Sequence, residues 1–172
     1  MSVLTAPKGD ETIAKIRYGS EEWIKALRTA LNSSPAYEQA AKNWEGDYYF
    51  VVEPEVSPGK PTLWVADPGK PDAPVLLEAS QAKPIYLYLD LWHGKCREAY
   101  IVNDPKEKNP AFVMSGPYSK WRQVTQAQLN PIQALMTAQM KLKGNMAMVM
   151  KHVKAAQEII RACTRIDTEF DI

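Results

Sequence analysis

Two histidines, two cysteines and a set of carboxylates are the side chains of this 172-residue chain that could move protons, attack carbon or hold a metal. His93 sits in Trp92-His93-Gly94, a turn between two apolar runs, and His152 lies in the last helical stretch. Neither has a serine or cysteine at a spacing that would make it the base of a nucleophilic pair. The expectation for both is a surface imidazole. Asp90 follows an aromatic strand face, but a carboxylate without a partner does not make an acid–base couple. Cys163 lies between Arg161 and Arg165, whose charge would favour the thiolate. With no base or oxyanion donor near it, Cys163 reads as structural. Cys96 and Cys163 match neither a metal nor a dithiol spacing, and no phosphate loop, dinucleotide fingerprint or metal-ligand cluster occurs. The expectation is a protein that is not an enzyme, with no catalytic residue, metal or cofactor.

The chemistry that remains is apolar. Met136 to Lys151, MTAQMKLKGNMAMVMK, holds five of the chain's seven methionines. Methionine is unbranched and polarizable, and it adapts to partners of varied shape. Met146, Val149, Met150 and Val153 repeat at helical spacing, with Ile160 continuing the face, while Met140 and Leu142 share one side of a strand. Such a stripe packs a core, or it walls a space that accepts a flexible guest; both readings stay open on spacing alone.

Positioning these residues requires a folded domain, and the chain is long enough for one. Apolar residues make up 45%, and 21 basic residues balance 20 acidic ones. That balance is unlike a nucleic-acid protein working through a strong uniform field. No apolar run reaches the length of a membrane span, and the two cysteines read as reduced. The expectation is a cytoplasmic protein.

Residues 1–19 show no core-building period and read as a flexible lead-in to a single domain over 20–172. Ser20 caps a helix carrying Trp23, Leu27, Ala30 and Leu31 on one face, and Ser34-Pro35 starts a second. Tyr48 to Val52 is a strand apolar on both faces. The proline-rich stretch 53–84 holds turn signals at Pro58-Gly59 and Pro68-Gly69 around a short strand, Leu63-Trp64-Val65. Ile85–Trp92 alternates as a strand, turns at His93-Gly94 and pairs with 98–102. Phe112-Val113-Met114 resumes the sheet. Two short helices follow, one with Trp121 and Val124, the other capped by Asn130 with Pro131 at its first position. Met140–Lys143 is a strand, Gly144 turns the chain, and Asn145 caps a final helix to about Thr164. Hairpin-linked strands with helices at the ends predict α+β architecture, with an antiparallel sheet covered by helices on one face.

The segments Leu129-Asn130-Pro131-Ile132-Gln133-Ala134-Leu135-Met136 and Met140-Lys141-Leu142-Lys143-Gly144-Asn145-Met146 resemble the C-terminal signature of the sterol carrier protein (type two) family. Phe112-Val113-Met114-Ser115-Gly116 and Trp121 stand where such proteins place a strand and its following helix. The resemblance is strongest over 111–160. It departs at Ala138-Gln139, where the family has glycine-lysine, and the stretch 53–84 is longer than a minimal member needs.

The resemblance implies a mostly antiparallel five-stranded sheet and a hydrophobic tunnel that takes fatty acid, acyl-CoA, phospholipid or sterol. Its implied lipid contacts here are Phe112, Met114, Trp121, Leu135, Met136, Met140, Leu142, Met146, Val149, Met150 and Val153. A second reading is an accessory module that offers the same apolar surface to a protein partner. Lys151, Lys154, Arg161 and Arg165, interrupted by Glu158, form either a solvated helix face or a site of transient contact with anionic membranes. No nucleic-acid partner is expected.

Overall fold

The computed structural model describes residues 15–54, 62–67, 70–78 and 83–170. Its elements run β1 (Ile16–Arg17), α1 (Glu21–Asn32), α2 (Pro35–Ala40), β2 (Glu45–Glu53), β3 (Thr62–Asp67), β4 (Lys70–Glu78), β5 (Ile85–Trp92) and β6 (Lys95–Val102). Then come β7 (Phe112–Pro117), α3 (Tyr118–Thr125), α4 (Pro131–Met136), β8 (Lys141–Lys143), α5 (Met146–Lys151), α6 (Val153–Thr164) and β9 (Thr168–Glu169).

Helix starts follow the sequence signals. The side chains of Ser20, Ser34, Asn130 and Asn145 accept hydrogen bonds from the backbone N–H groups of Trp23, Tyr37, Ile132 and Met148, at 3.1, 3.1, 2.8 and 3.3 Å. Each satisfies a donor that the first helical turn leaves without an internal partner. The turn at His93 and Gly94 has φ of 50° and 81°, the left-handed pair that a two-residue hairpin between twisted strands demands. A Cβ on Gly94 would stand 2.6 Å from the Glu38 carbonyl oxygen, so the turn also tucks beneath α2.

Five strands form one sheet in the order β6-β5-β2-β7-β8. Its pairs are antiparallel except β2 with β7, which run parallel from Tyr48 opposite Phe112 to Glu53 opposite Pro117. The sheet is thus mostly antiparallel, as the resemblance implies, with one parallel pair at its centre. The crossover from β6 over the charged loop 103–111 brings β7 against β2, which occupies the centre. A central strand explains the run Tyr48-Tyr49-Phe50-Val51-Val52, buried on both faces. Tyr48, Phe50, Val52, Leu87, Leu89 and Met114 face the helices and the main core, whereas Tyr49, Val51 and Tyr88 join Val102 on the opposite face.

Two features differ from the sequence expectation. The end of the lead-in is tied down: Ile16 and Arg17 pair with Thr168 and Glu169, and Tyr18 is 1% exposed against Trp23, Tyr118 and Phe170. Residues 1–14 lie outside the described residues, as do the turn signals Pro58-Gly59 and Pro68-Gly69, although β3 and β4 pair with each other. The final helix is two helices. His152, at φ −117° and ψ 38°, interrupts it, and its Nδ1 bonds the Met148 carbonyl oxygen at 2.9 Å. That contact satisfies a carbonyl which an unbroken helix would pair with the backbone N–H of residue 152.

Candidate functional site

The helices leave a space above the sheet. Its floor is Tyr48 and Phe50 of β2, Met114 of β7 and Leu142 of β8; its walls are Trp121, Val124, Ile132, Leu135 and Val149, with Ala156, Ile159, Ile160 and Cys163 of α6. The cavity measures about 50 Å³ and its lining is almost wholly apolar. Two neighbours share its walls. A space of about 30 Å³ borders it through Tyr48, Val149, Ala156 and Ile159 and reaches Trp44 and His152. A space of about 260 Å³ borders it through Thr125 and Cys163 and reaches Gln126, Thr164, Thr168 and Phe170. The three succeed one another beneath α6, a twelve-residue helix whose length is roughly 18 Å.

Anchors at the walls are specific. The Trp121 indole N–H donates to the Val51 carbonyl oxygen at 2.8 Å, and that of Trp23 donates to Thr168 Oγ1 at 2.9 Å. Met140 fills the room left by Gly116, where an added Cβ would lie 2.8 Å from Met140 Cε.

The residues expected at a lipid site separate into groups. Met114, Trp121, Leu135, Leu142 and Val149 line the central cavity. Phe112, 2% exposed, packs instead between Trp44 and Tyr48 at ring distances of 5.0 and 5.1 Å. Met140 is 2% exposed in the core, and Met146 and Val153 lie half-buried against it. Met136 and Met150 are 70% and 43% exposed, outside the cavity lining. Helical spacing accounts for part of this: Ala156, Ile160 and Cys163 continue the face of Val149 at i+7, i+11 and i+14, whereas Met150 stands about 100° round the helix from Val149.

Sequence reasoning missed Tyr18, Trp23, Tyr48, Phe50, Ile132 and Ile159. Tyr48 and Phe50 belong to a strand apolar on both sides, so alternation could not say which face meets the helices. For Ile159 a signal existed in the 156–159–160–163 period of one helical face.

The residues capable of polar chemistry are engaged elsewhere. Asp90 takes two hydrogen bonds from Arg97, both at 3.0 Å, and His93 contacts Glu45 at 2.6 Å on the surface. His152 is half-buried rather than a surface group, edge-on to Trp44 at a ring distance of 5.1 Å. Burial pushes the Cys163 thiol up to about 12, the reverse of the shift expected from its flanking arginines. Burial likewise lifts Cys96 to about 12, with the nearby Arg28 charge opposing it. Neither thiol supplies a nucleophilic thiolate near neutral pH. Burial also holds the Tyr18 hydroxyl well above its ordinary value, while its hydrogen bond with Thr125 acts the other way. Among the described residues, no group of three or more His, Cys, Asp or Glu could hold a metal ion, and no helix is long and apolar enough to cross a membrane.

A profile of the SCP-2 sterol transfer family matches residues 73–157. The chain is similar to the crystal structure of a sterol carrier protein 2, at 31% identity over 87% of this chain and 99% of that one, with a TM-score of 0.67. It is also similar to the solution structure of a conserved hypothetical protein from Thermus thermophilus, described as possibly a sterol carrier protein. There the identity is 28%, the coverage 91% and 94%, and the TM-score 0.69. No curated protein sequence matches it.

Proposed function

This chain belongs to the SCP-2 sterol transfer family, and on that premise we propose that it binds a single lipid molecule beneath α6 and carries it between membranes or enzymes. The observation that carries this reading is the apolar space between sheet and α6, with neighbouring spaces at both of its ends. Its proposed contacts are Met114, Trp121, Leu135, Leu142 and Val149, joined by Phe50, Ile159 and Ile160. The remaining residues expected from the sequence act as packing or rim.

At about 50 Å³ the central space is a third of the roughly 150 Å³ that admits benzene in an engineered apolar cavity. A long chain therefore enters as the helical walls move outward. Half-buried Leu135, Ile159 and Ile160, with Met146 and Met148 packed beside the core, are the side chains free to give way. Methionine concentrated in α5 suits a wall that repacks around guests of different shape. Sixteen methylene-sized groups would contribute roughly 12 kcal/mol on burial, and association and opening costs of several kcal/mol leave about micromolar affinity. The binding needs no covalent step. Two unpaired, buried cysteines support a reducing compartment such as the cytoplasm. Exposed Lys151, Lys154, Arg161 and Arg165 offer a face for anionic headgroups during exchange.

Native mass spectrometry of freshly purified protein tests the carrier reading. A co-purifying lipid at one per chain is expected. A lipid-free protein that also takes up no added lipid overturns it, and a stable lipid-free complex with another protein favours the accessory-module reading.

A further inference from the structure

The space at the C-terminal end of α6 differs in kind from the apolar cavity it adjoins. Thr125, Gln126, Thr164 and Thr168 supply its polar atoms, and among the described residues no lysine, arginine, aspartate or glutamate lines it. Two of its hydroxyls have already committed their protons. Thr164 Oγ1 donates to the Arg161 carbonyl oxygen at 2.6 Å, and Thr168 Oγ1 donates to the Ile166 carbonyl oxygen at 3.0 Å. Thr168 Oγ1 also accepts from Trp23 Nε1 at 2.9 Å. A hydroxyl oxygen has one proton and two lone pairs. What these threonines have left for a guest is therefore accepting oxygen: both lone pairs of Thr164 and one of Thr168. Gln126, exposed, contributes an amide that both donates and accepts. The Cys163 thiol at the shared wall is uncharged near neutral pH.

A mainly accepting vestibule selects among amphiphiles with the same tail, with the Arg122 guanidinium held over the Phe170 ring at 5.3 Å and outside the lining. A carboxylate has acceptors only, so against the threonine oxygens it finds no donor and only the Gln126 amide can return a hydrogen bond. A hydroxyl head brings the donors that are missing. Resting on the lipid-carrier reading above, we propose that the vestibule formed by Thr125, Gln126, Thr164 and Thr168 seats an uncharged hydroxyl-bearing headgroup, making the preferred ligand a single-chain hydroxy lipid, such as a monoacylglycerol, over the fatty-acid anion of equal length. The chain would run from there into the apolar cavity past Thr125 and Cys163, which line both spaces.

Displacement of a fluorescent fatty-acyl probe from the delipidated full chain, by monopalmitoylglycerol and by palmitate, tests this at neutral pH. Monopalmitoylglycerol is expected to compete at a roughly three- to tenfold lower concentration, the range of one good hydrogen bond. Acidification that protonates palmitate to a donor should narrow the gap. Thr164 is exposed, so Thr164→Val should fold normally. It is expected to weaken monopalmitoylglycerol by about threefold or more without weakening palmitate, while Thr164→Ser restores the preference. Gln126→Leu provides a second reading of the same vestibule. Palmitate binding as well as or better than monopalmitoylglycerol, or Thr164→Val weakening both alike, overturns the headgroup proposal and leaves the carrier reading standing. Failure of the probe and both lipids to bind overturns the two together.

Discussion

The Trp121 indole nitrogen and the Val51 carbonyl oxygen lie 2.8 Å apart, a buried hydrogen bond that ties α3 to the central strand of the sheet. Trp121 is 3% exposed and its ring contacts Phe50 at 5.0 Å, so one side chain both anchors and lines the cavity. The anchor fixes this wall of the cavity to the sheet.

Trp121→Phe keeps an aromatic wall but removes the donor, leaving the Val51 carbonyl oxygen without its indole partner. The expected loss of stability is about 1–3 kcal/mol, the cost of abandoning a buried acceptor. For a domain of this size each kcal/mol corresponds to roughly 2–4 °C in melting temperature, readable by calorimetry. A melting temperature equal to that of the parent would mean that the bond adds nothing.

Ile160 and Met150 make a paired test of where the ligand lies. Ile160 lines the central cavity, whereas Met150 is 43% exposed and does not. Ile160→Lys places an ammonium beside the proposed acyl chain and should weaken lipid binding by about tenfold or more. Met150→Lys should change it by less than about twofold, because the new charge stays in water. Equal losses in the two folded variants, measured by probe displacement, would move the site away from the α6 face.

Alkaline pH should unfold the protein earlier than its modest charge would suggest. Burial raises the thiols of Cys96 and Cys163 from 9.0 to about 12. Between those values the folded chain retains protons that the unfolded chain has released. Stability contributed by the neutral thiols is complete below pH 9, falls as pH rises, and is gone above 12. Burial shifts the Tyr18, Tyr37 and Tyr48 hydroxyls in the same direction. The urea midpoint should decline from about pH 9 upward, and more shallowly in a Cys96→Ala, Cys163→Ala double variant. Identical slopes in parent and variant would show that the thiols do not contribute.

Much of the local structure could be read from the residues alone. The caps at Ser20, Ser34, Asn130 and Asn145, the left-handed turn at His93-Gly94 and the alternation of Ile85–Trp92 are short-range chemistry, set by neighbours a few positions away. The motif around Asn130–Met136 and Met140–Met146 likewise carried the family, because it records one particular helix–turn–strand–turn sequence. Glycine at 144, with φ of 135°, belongs to the same class.

Tertiary structure decided the rest. Whether β7 would run parallel or antiparallel to β2 depended on the crossover after β6, which no local pattern encodes. Which face of Tyr48–Val52 meets the helices depended on what packs above it. The break at His152 was likewise decided at long range, since its side chain bonds the preceding turn and rests against Trp44, more than a hundred residues earlier. Spacing along the chain places Val149, Ala156, Ile160 and Cys163 on one helical face and Met150 off it. Whether that face closes on the sheet or leaves a space is set by long-range packing, because the floor beneath it comes from Tyr48, Phe50 and Met114, on strands far away in the chain.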